Sequence, residues 1–339
     1  MKKLSLPSST MLHKFLLALF IFSASAVTAQ KVKPVPVIFD SDMGPDYDDV
    51  GAITMLHAFA DSGYIKILAT VASTKYEGVA AVFSVFNTYF KKPAIPIGVP
   101  KNKASELKDF QHWTDSLIAK YPHSLKKNDE AMDAVAVYRK ILAAQPDKSV
   151  TIITTGFLTN ISDLLKSPAD KFSKLDGKEL VKRKVRELVC MAGRFPSGSE
   201  FNIKIDAAAS QFVADNWPGT ILFSGFEIGV KIKAGLPLVH NTAISNSPVK
   251  DVFRICIPMA KEDSLGRSSW DETAVLVAVK GIKPWYKMEK GKMAVLADGS
   301  NTWIKLKNSP PHSYIVEAVP PSAVQQVINQ LIMHQPLHR

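Results

Sequence analysis

A chain of 339 residues with 46% hydrophobic content can bury a large core, as one large α/β domain or as two intimate halves. Its two cysteines, Cys190 and Cys256, both lie in apolar runs and read as buried thiols, with a bridge left open if the compartment is oxidising. The formal charge is +11, but the basic residues are dispersed except around Lys182, Arg183, Lys184 and Arg186, where no aromatics interleave, so a solvated surface is expected and not a nucleic-acid site.

Residues 1–29 read as an export signal. Lys2, Lys3, His13 and Lys14 give a positive start, Phe15 to Phe22 an apolar core, and Val27-Thr28-Ala29 a small-residue cleavage site. The apolar core is too short to span a bilayer comfortably, and no cysteine follows it to carry a lipid. The mature chain is therefore expected to be residues 30–339, periplasmic or extracellular, with a charge of +8, no second apolar span and no membrane attachment.

The next stretch, VIFDSDMGPDYDDVGA from Val37 to Ala52, carries five carboxylates within ten positions: Asp40, Asp42, Asp46, Asp48 and Asp49. It follows the β-like run Val35, Val37, Ile38 and Phe39 and opens a helical pattern through Ile53, Leu56, His57 and Ala60. Like charges held close repel and raise one another's pKa, so a folded chain keeps them together only with a cation, a shared proton or strong donors. Strand alternation sends Asp40 and Asp42 to the same side, and Gly44-Pro45 turns the chain. Hard oxygen ligands with no His or Cys nearby favour Ca²⁺ or Mg²⁺ over zinc. The plainer alternative is a solvated helix cap. A chemical alternative is the nucleophile loop of haloacid dehalogenase-type phosphatases, which the strand followed by Asp-x-Asp also resembles; it would make a Mg²⁺ phosphohydrolase that uses Asp40 and Asp42.

Beyond this loop the apolar period alternates between 2 and 3.6. Strands are expected at Ile65–Val71, Ala94–Gly98, Val150–Thr154, Leu188–Ala192 and Thr220–Phe223, with helices such as Gly78–Phe90 and Glu130–Ala144 between them. That alternation predicts a mixed, mostly parallel central sheet flanked by helices, with sites beyond the carboxyl ends of its strands. Candidate segments fall at such ends: Ala72-Ser73-Thr74, Thr154 to Asn160, and Gly193 to Asn202. A further one, Ser269 to Val275, opens an apolar helix. After residue 284 a hairpin with turns at Gly291 and Asp298-Gly299 is expected, then a strand at Tyr314–Val319 and a helix at Pro321–Met333.

Taken together, these segments resemble the inosine-uridine-type nucleoside hydrolases from Val35 to about Val279. Asp40, Asp42, Gly44, Asp46, Asp48 and Asp49 match the longer DxDxGxDxDD form of that family's N-terminal signature. Thr155 to Asn160 is similar to its TGxLTN segment, Glu200-Phe201-Asn202 to its EFN segment, and Asp271 to its distant aspartate. The resemblance implies an α/β nucleoside hydrolase-like fold and hydrolysis of an N-glycosidic bond to ribose and free base. It further implies a Ca²⁺ held by Asp42, Asp49, Asp271 and the Thr155 carbonyl, and a small-molecule nucleoside substrate. Asp42 would be the general base; Asp48, Glu200, Asn202 and Asp271 would hold the sugar. Family members are commonly homo-oligomers.

Three further candidate substrate-binding positions depart from the family pattern. Thr74 stands where an Asn helps to hold the sugar, Arg194 where an Asn is frequent, and Trp270 where many members have the His that protonates the leaving base. Indole is no acid, but it stacks on flat rings and offers one N–H. These departures keep open a calcium-dependent sugar or nucleoside binder with little turnover.

Overall fold

The computed structural model describes Met1 and residues 33–306, 308 and 311–337; the expected export signal otherwise lies outside the described residues. Pro34–Arg339 is one compact unit. Its strands are β1 (Val35–Ser41), β2 (Ile65–Ala72), β3 (Ile97–Val99), β4 (Met132–Asp133), β5 (Val150–Thr154), β6 (Val185–Met191) and β7 (Ser197–Ser199). There follow β8 (Ile221–Ser224), β9 (Lys233–Ala234), β10 (Arg267–Ser268), β11 (Tyr286–Val295), β12 (Ser300–Ile304) and β13 (His312–Glu317).

Eleven of these strands make one sheet in the order β4-β3-β2-β1-β5-β6-β8-β13-β11-β12-β7. Every neighbouring pair from β4 to β13 is parallel, and only the β13-β11-β12-β7 end is antiparallel. The parallel strands can be so uniformly apolar because helices cover both faces. Along β1, Val37 and Phe39 face one core with Ile153 and Val189, whereas Ile38 faces the other with Ile152 and Leu188. Each such fully buried side chain contributes about 1.5–3 kcal/mol, so register is fixed from the sheet centre outward. The first core is closed by helices Asp48–Asp61 and Trp270–Lys280, which pack on each other.

The chain lays β2, β3 and β4 to one side of β1, then returns to put β5, β6 and β8 on the other. Connections therefore diverge at the carboxyl ends of β1 and β5, and a crevice opens between them. Ligands of open parallel sheets bind at such a reversal point.

Most expected elements form within a few residues of their predicted bounds. The Ala94–Gly98 strand begins only at Ile97, since Pro96 has no N–H for the ladder. Gly291 makes no turn; it lies inside β11, where a side chain would meet the Ile304 carbonyl at 2.4 Å and the Trp303 indole at 2.7 Å. The turn falls between β11 and β12, around Asp298 and Gly299. Cys190 and Cys256 are buried free thiols. Among the described residues no helix is long and apolar enough to cross a membrane.

Gly291→Ala should lower the unfolding free energy by about 1–3 kcal/mol, because β11 and β12 must part to admit a methyl group. Urea denaturation measures this, and an unchanged midpoint would refute the close approach.

Candidate active site

Strand β1 ends at Ser41, and the acidic loop starts one residue later, where the strand's alternation no longer holds. Asp42 consequently turns into the crevice while Asp40 does not. Asp40 is fully buried beneath the site, its Oδ2 accepting from Tyr138 Oη at 2.8 Å and Asn160 Nδ2 at 3.0 Å. Burial pushes its pKa up to about 7, against the lowering effect of those two donors. The expectation that Asp40 and Asp42 share a side is thereby corrected. So is the phosphohydrolase alternative, because an attacking carboxylate cannot be sealed under the sheet edge.

Neighbouring loops pin the turn from both sides. After β2, the Thr74 hydroxyl donates to the Asp42 carbonyl at 2.8 Å and the Tyr76 hydroxyl to the Met43 carbonyl at 2.7 Å. After β5, the Thr155 N–H donates to the Asp40 carbonyl at 2.8 Å. Gly156 then passes so close that a Cβ there would sit 2.4 Å from the Asp42 nitrogen and 2.3 Å from Ser73 Oγ. Only glycine allows the two strand ends to meet this tightly.

These loops and the Trp270–Lys280 helix enclose a cavity of about 260 Å³. Asp42, Asp46, Asp48 and Asp271 form its acidic side, Thr155, Glu200 and Asn202 a polar side, and Phe201, Phe226 and Trp270 an aromatic side, with Arg267 at the acids. A larger void of about 680 Å³, lined by residues such as Tyr89, Lys91, Lys120 and Tyr121, has no carboxylate in its wall.

Asp48 is strongly committed. Its Oδ1 accepts from Arg267 Nε at 3.0 Å and Nη2 at 2.8 Å, and its Oδ2 from the backbone N–H of Trp270 at 3.2 Å and Asp271 at 3.3 Å. It thus satisfies the start of a helix more than two hundred residues away, a site where negative charge is favoured. Asp46, Asp48 and Asp271 bring carboxylate oxygens within 4.8 Å of one another.

Asp49 lies just behind, fully buried and off the cavity wall. Its Oδ1 accepts from Ser41 Oγ and, at 3.3 Å, from Thr155 Oγ1. Its Oδ2 has no partner among the described residues, yet its carboxyl group lies within hydrogen-bonding reach of those of Asp46 and Asp271. Burial, then the charges of Asp48, Asp49 and neighbouring acids, hold Asp42 and Asp271 well above the usual carboxylate range. Carboxyl groups in mutual contact with an orphan oxygen need a proton or a cation between them. A hard divalent ion fits that donor set.

On the polar side, Glu200 caps a short helix. Its oxygens accept from the N–H groups of Asn202 at 2.8 Å, Gly193 at 3.0 Å and Ile203 at 3.2 Å, and burial lifts its pKa to about 7 against them. The Asn202 amide donates to the carbonyls of Thr155 at 3.2 Å and Met191 at 3.1 Å. Trp270 stacks on Phe226 with ring centres 5.3 Å apart and gives its indole N–H to the Phe226 carbonyl at 2.9 Å.

Two expected substrate contacts lie off the cavity wall. Thr74 is buried and spends its hydroxyl on the loop backbone. Arg194 is exposed, its guanidinium lying over the Phe226 ring, 5.3 Å from the ring centre. Arg267 escaped the sequence, and so did the parts played by Phe226 and by the fully buried Glu272, whose oxygens have no partner among the described residues. The arginine left a trace as the one basic residue just ahead of Ser269-Trp270-Asp271, and Glu272 lies inside the Ser269 to Val275 segment.

The model of the family described as inosine-uridine preferring nucleoside hydrolase matches residues 37–325. The pyrimidine-specific ribonucleoside hydrolase RihA of Shewanella sp. (strain ANA-3) is 26% identical over 238 residues, which is 67% of this chain and 66% of that protein. The inosine-uridine preferring nucleoside hydrolase of Leishmania major is 24% identical over 233 residues, 66% of this chain and 67% of its own length. The chain thus spans about two thirds of the curated relatives it matches. Among solved structures, the purine-preferring ribonucleoside hydrolase from Gardnerella vaginalis shares the fold with a TM-score of 0.68 at 18% identity, covering 88% of this chain and 99% of that one. A plant nucleoside hydrolase gives 0.66 at 17% identity, with the same coverage.

Asp49→Asn places an amide donor against the neighbouring carboxylates. In chelator it should raise stability by about 1–3 kcal/mol. Thermal denaturation without metal measures this, and a fall would contradict the crowding.

Proposed function

Because this chain belongs to the inosine-uridine preferring nucleoside hydrolase family, we propose that it hydrolyses the N-glycosidic bond of a nucleoside, giving ribose and the free base. One observation carries the proposal: a single cavity joins crowded carboxylates, a polar pair suited to a polyol and an aromatic wall suited to a flat ring. Its acidic side also favours an uncharged nucleoside over a nucleotide, whose phosphate the aspartates would repel.

Asp42, Asp49 and Asp271, with the Thr155 carbonyl, would hold Ca²⁺. When bound, such an ion lowers the pKa of a coordinated water and binds sugar hydroxyls. Asp42, open to the cavity, takes the proton of the attacking water as its oxygen bonds to the anomeric carbon. The bond to nitrogen breaks with its electron pair leaving on the base, and the surrounding carboxylates stabilise the positive charge that grows on the sugar ring. Glu200 accepts from a sugar hydroxyl, and the Asn202 side-chain oxygen, left over when its NH₂ donates to two carbonyls, does the same. Trp270 and Phe226 flank the base. Residues 1–29 would direct the chain out of the cytoplasm, where it would serve nucleoside catabolism.

A second possibility, a calcium-dependent binder with little turnover, is favoured by the bond from the Trp270 indole to the Phe226 carbonyl. That position then supplies no proton to a departing base.

Purified protein should release ribose from a member of a purine, pyrimidine and nicotinamide nucleoside panel, lose this activity in chelator, and regain it with calcium. Asp42→Ala should lower kcat by roughly 10²–10⁴-fold. Nucleoside 5′-monophosphates should be poor substrates. Nucleoside binding without ribose release across the panel would favour the binder instead.

A further inference from the structure

Asp46, Asp48, Asp263 and Arg267 form a network beside Asp42, Asp49 and Asp271. Arg267 sends Nε and Nη2 to Asp48 at 3.0 and 2.8 Å, Nη2 also to Asp46 Oδ2 at 2.9 Å, and Nη1 to within 3.7 Å of Asp263 Oδ2. The Tyr47 hydroxyl holds Asp263 Oδ2 at 2.7 Å. The guanidinium lies 4.9 Å from the Tyr47 ring centre and 5.0 Å from that of Trp270, and its side chain is 13% exposed. Its backbone is fixed as well, by pairing of β10 with β9. Among the described residues no other Lys or Arg lies within ion-pair distance of an acid of the cluster.

We propose that Arg267 is a resident counter-cation of the site, neutralising Asp46 and Asp48 so that Asp42, Asp49 and Asp271 are left for one divalent ion. This rests on the divalent site proposed above. Two features separate the role from its alternatives. Its nitrogens already face carboxylates, so Arg267 is not arranged to receive an anionic substrate. A bridge that merely held loops together would, when cut, weaken ion binding or leave it unchanged; removing a fixed positive charge beside the ion strengthens it. Arg267 is therefore a positioning residue that sets how strongly the apo site attracts metal. It also keeps Asp48 on the N–H groups of Trp270 and Asp271 while no metal is bound.

Calcium chloride titrated calorimetrically into the metal-free full chain tests this, with thermal midpoints in chelator read in parallel. Arg267→Met should bind calcium roughly tenfold tighter at low salt, a gain that shrinks as ionic strength rises. In chelator its midpoint should fall, since an unpaired buried charge is left behind. Asp48→Asn, which leaves the arginine in excess, should weaken calcium binding by a similar factor, and combining the two substitutions should restore wild-type affinity. If Arg267→Met does not fold without metal, Asp48→Asn and the double variant carry the test. Unchanged or weaker calcium binding by folded Arg267→Met, or unchanged binding by Asp48→Asn, would overturn the inference. Wild-type protein that binds neither calcium nor magnesium would instead overturn the divalent site. The metal-free midpoints would then decide the counter-cation alone: a fall in Arg267→Met that Asp48→Asn reverses supports it, and no fall refutes it.

Discussion

The structure depends on negative charge forced together at the carboxyl ends of β1 and β5. Asp42, Asp46, Asp48 and Asp271 share one cavity wall, Asp49 lies behind them, and Asp40 and Glu272 are sealed beneath. No arrangement of backbone donors visible in the fold neutralises them all. What holds the cluster is division of labour: Arg267 takes Asp46 and Asp48, the start of the Trp270–Lys280 helix also takes Asp48, and Tyr138 and Asn160 take Asp40. Asp49 keeps one oxygen, Oδ2, without a partner among the described residues, as Asp40 does with Oδ1 and Glu272 with both of its oxygens.

Positioning them takes much of the domain. The parallel sheet brings β1 and β5 side by side, and the reversal of strand order at that point opens the crevice. Gly156 lets the two strand ends touch, and Thr74 and Tyr76 fasten the acidic turn to the loop after β2. Rigidity of this kind suits a site whose function rests on preorganised charge. Within this frame Thr74 holds the turn in place, while Glu200 and Asn202 line the polar side of the cavity.

The aromatic wall is organised around Trp270. The indole N–H is committed to the Phe226 carbonyl, Phe226 stacks on the indole, and the Arg194 guanidinium lies over the Phe226 ring. The Arg267 guanidinium lies over the same indole, 5.0 Å from the ring centre. A base entering this cavity would meet flat apolar surface with no acid in the wall formed by Trp270 and Phe226.

By itself the sequence determined the parallel sheet and the acidic motif. A switch between periods of 2 and 3.6 marks strands buried under helices, and five aspartates in ten positions are too costly to be incidental. It also identified Thr155, Glu200, Asn202 and Asp271 as cavity residues, through their motifs. Alternation failed one residue past the end of β1, and so the different fates of Asp40 and Asp42 could not be read from spacing. Nor could the partnership of Arg267 with Asp48 across more than two hundred residues, the close approach that requires Gly291 inside β11, or the burial of Glu272. Those features were decided by tertiary structure alone, because charge pairing and close packing depend on distances between segments that no local pattern encodes.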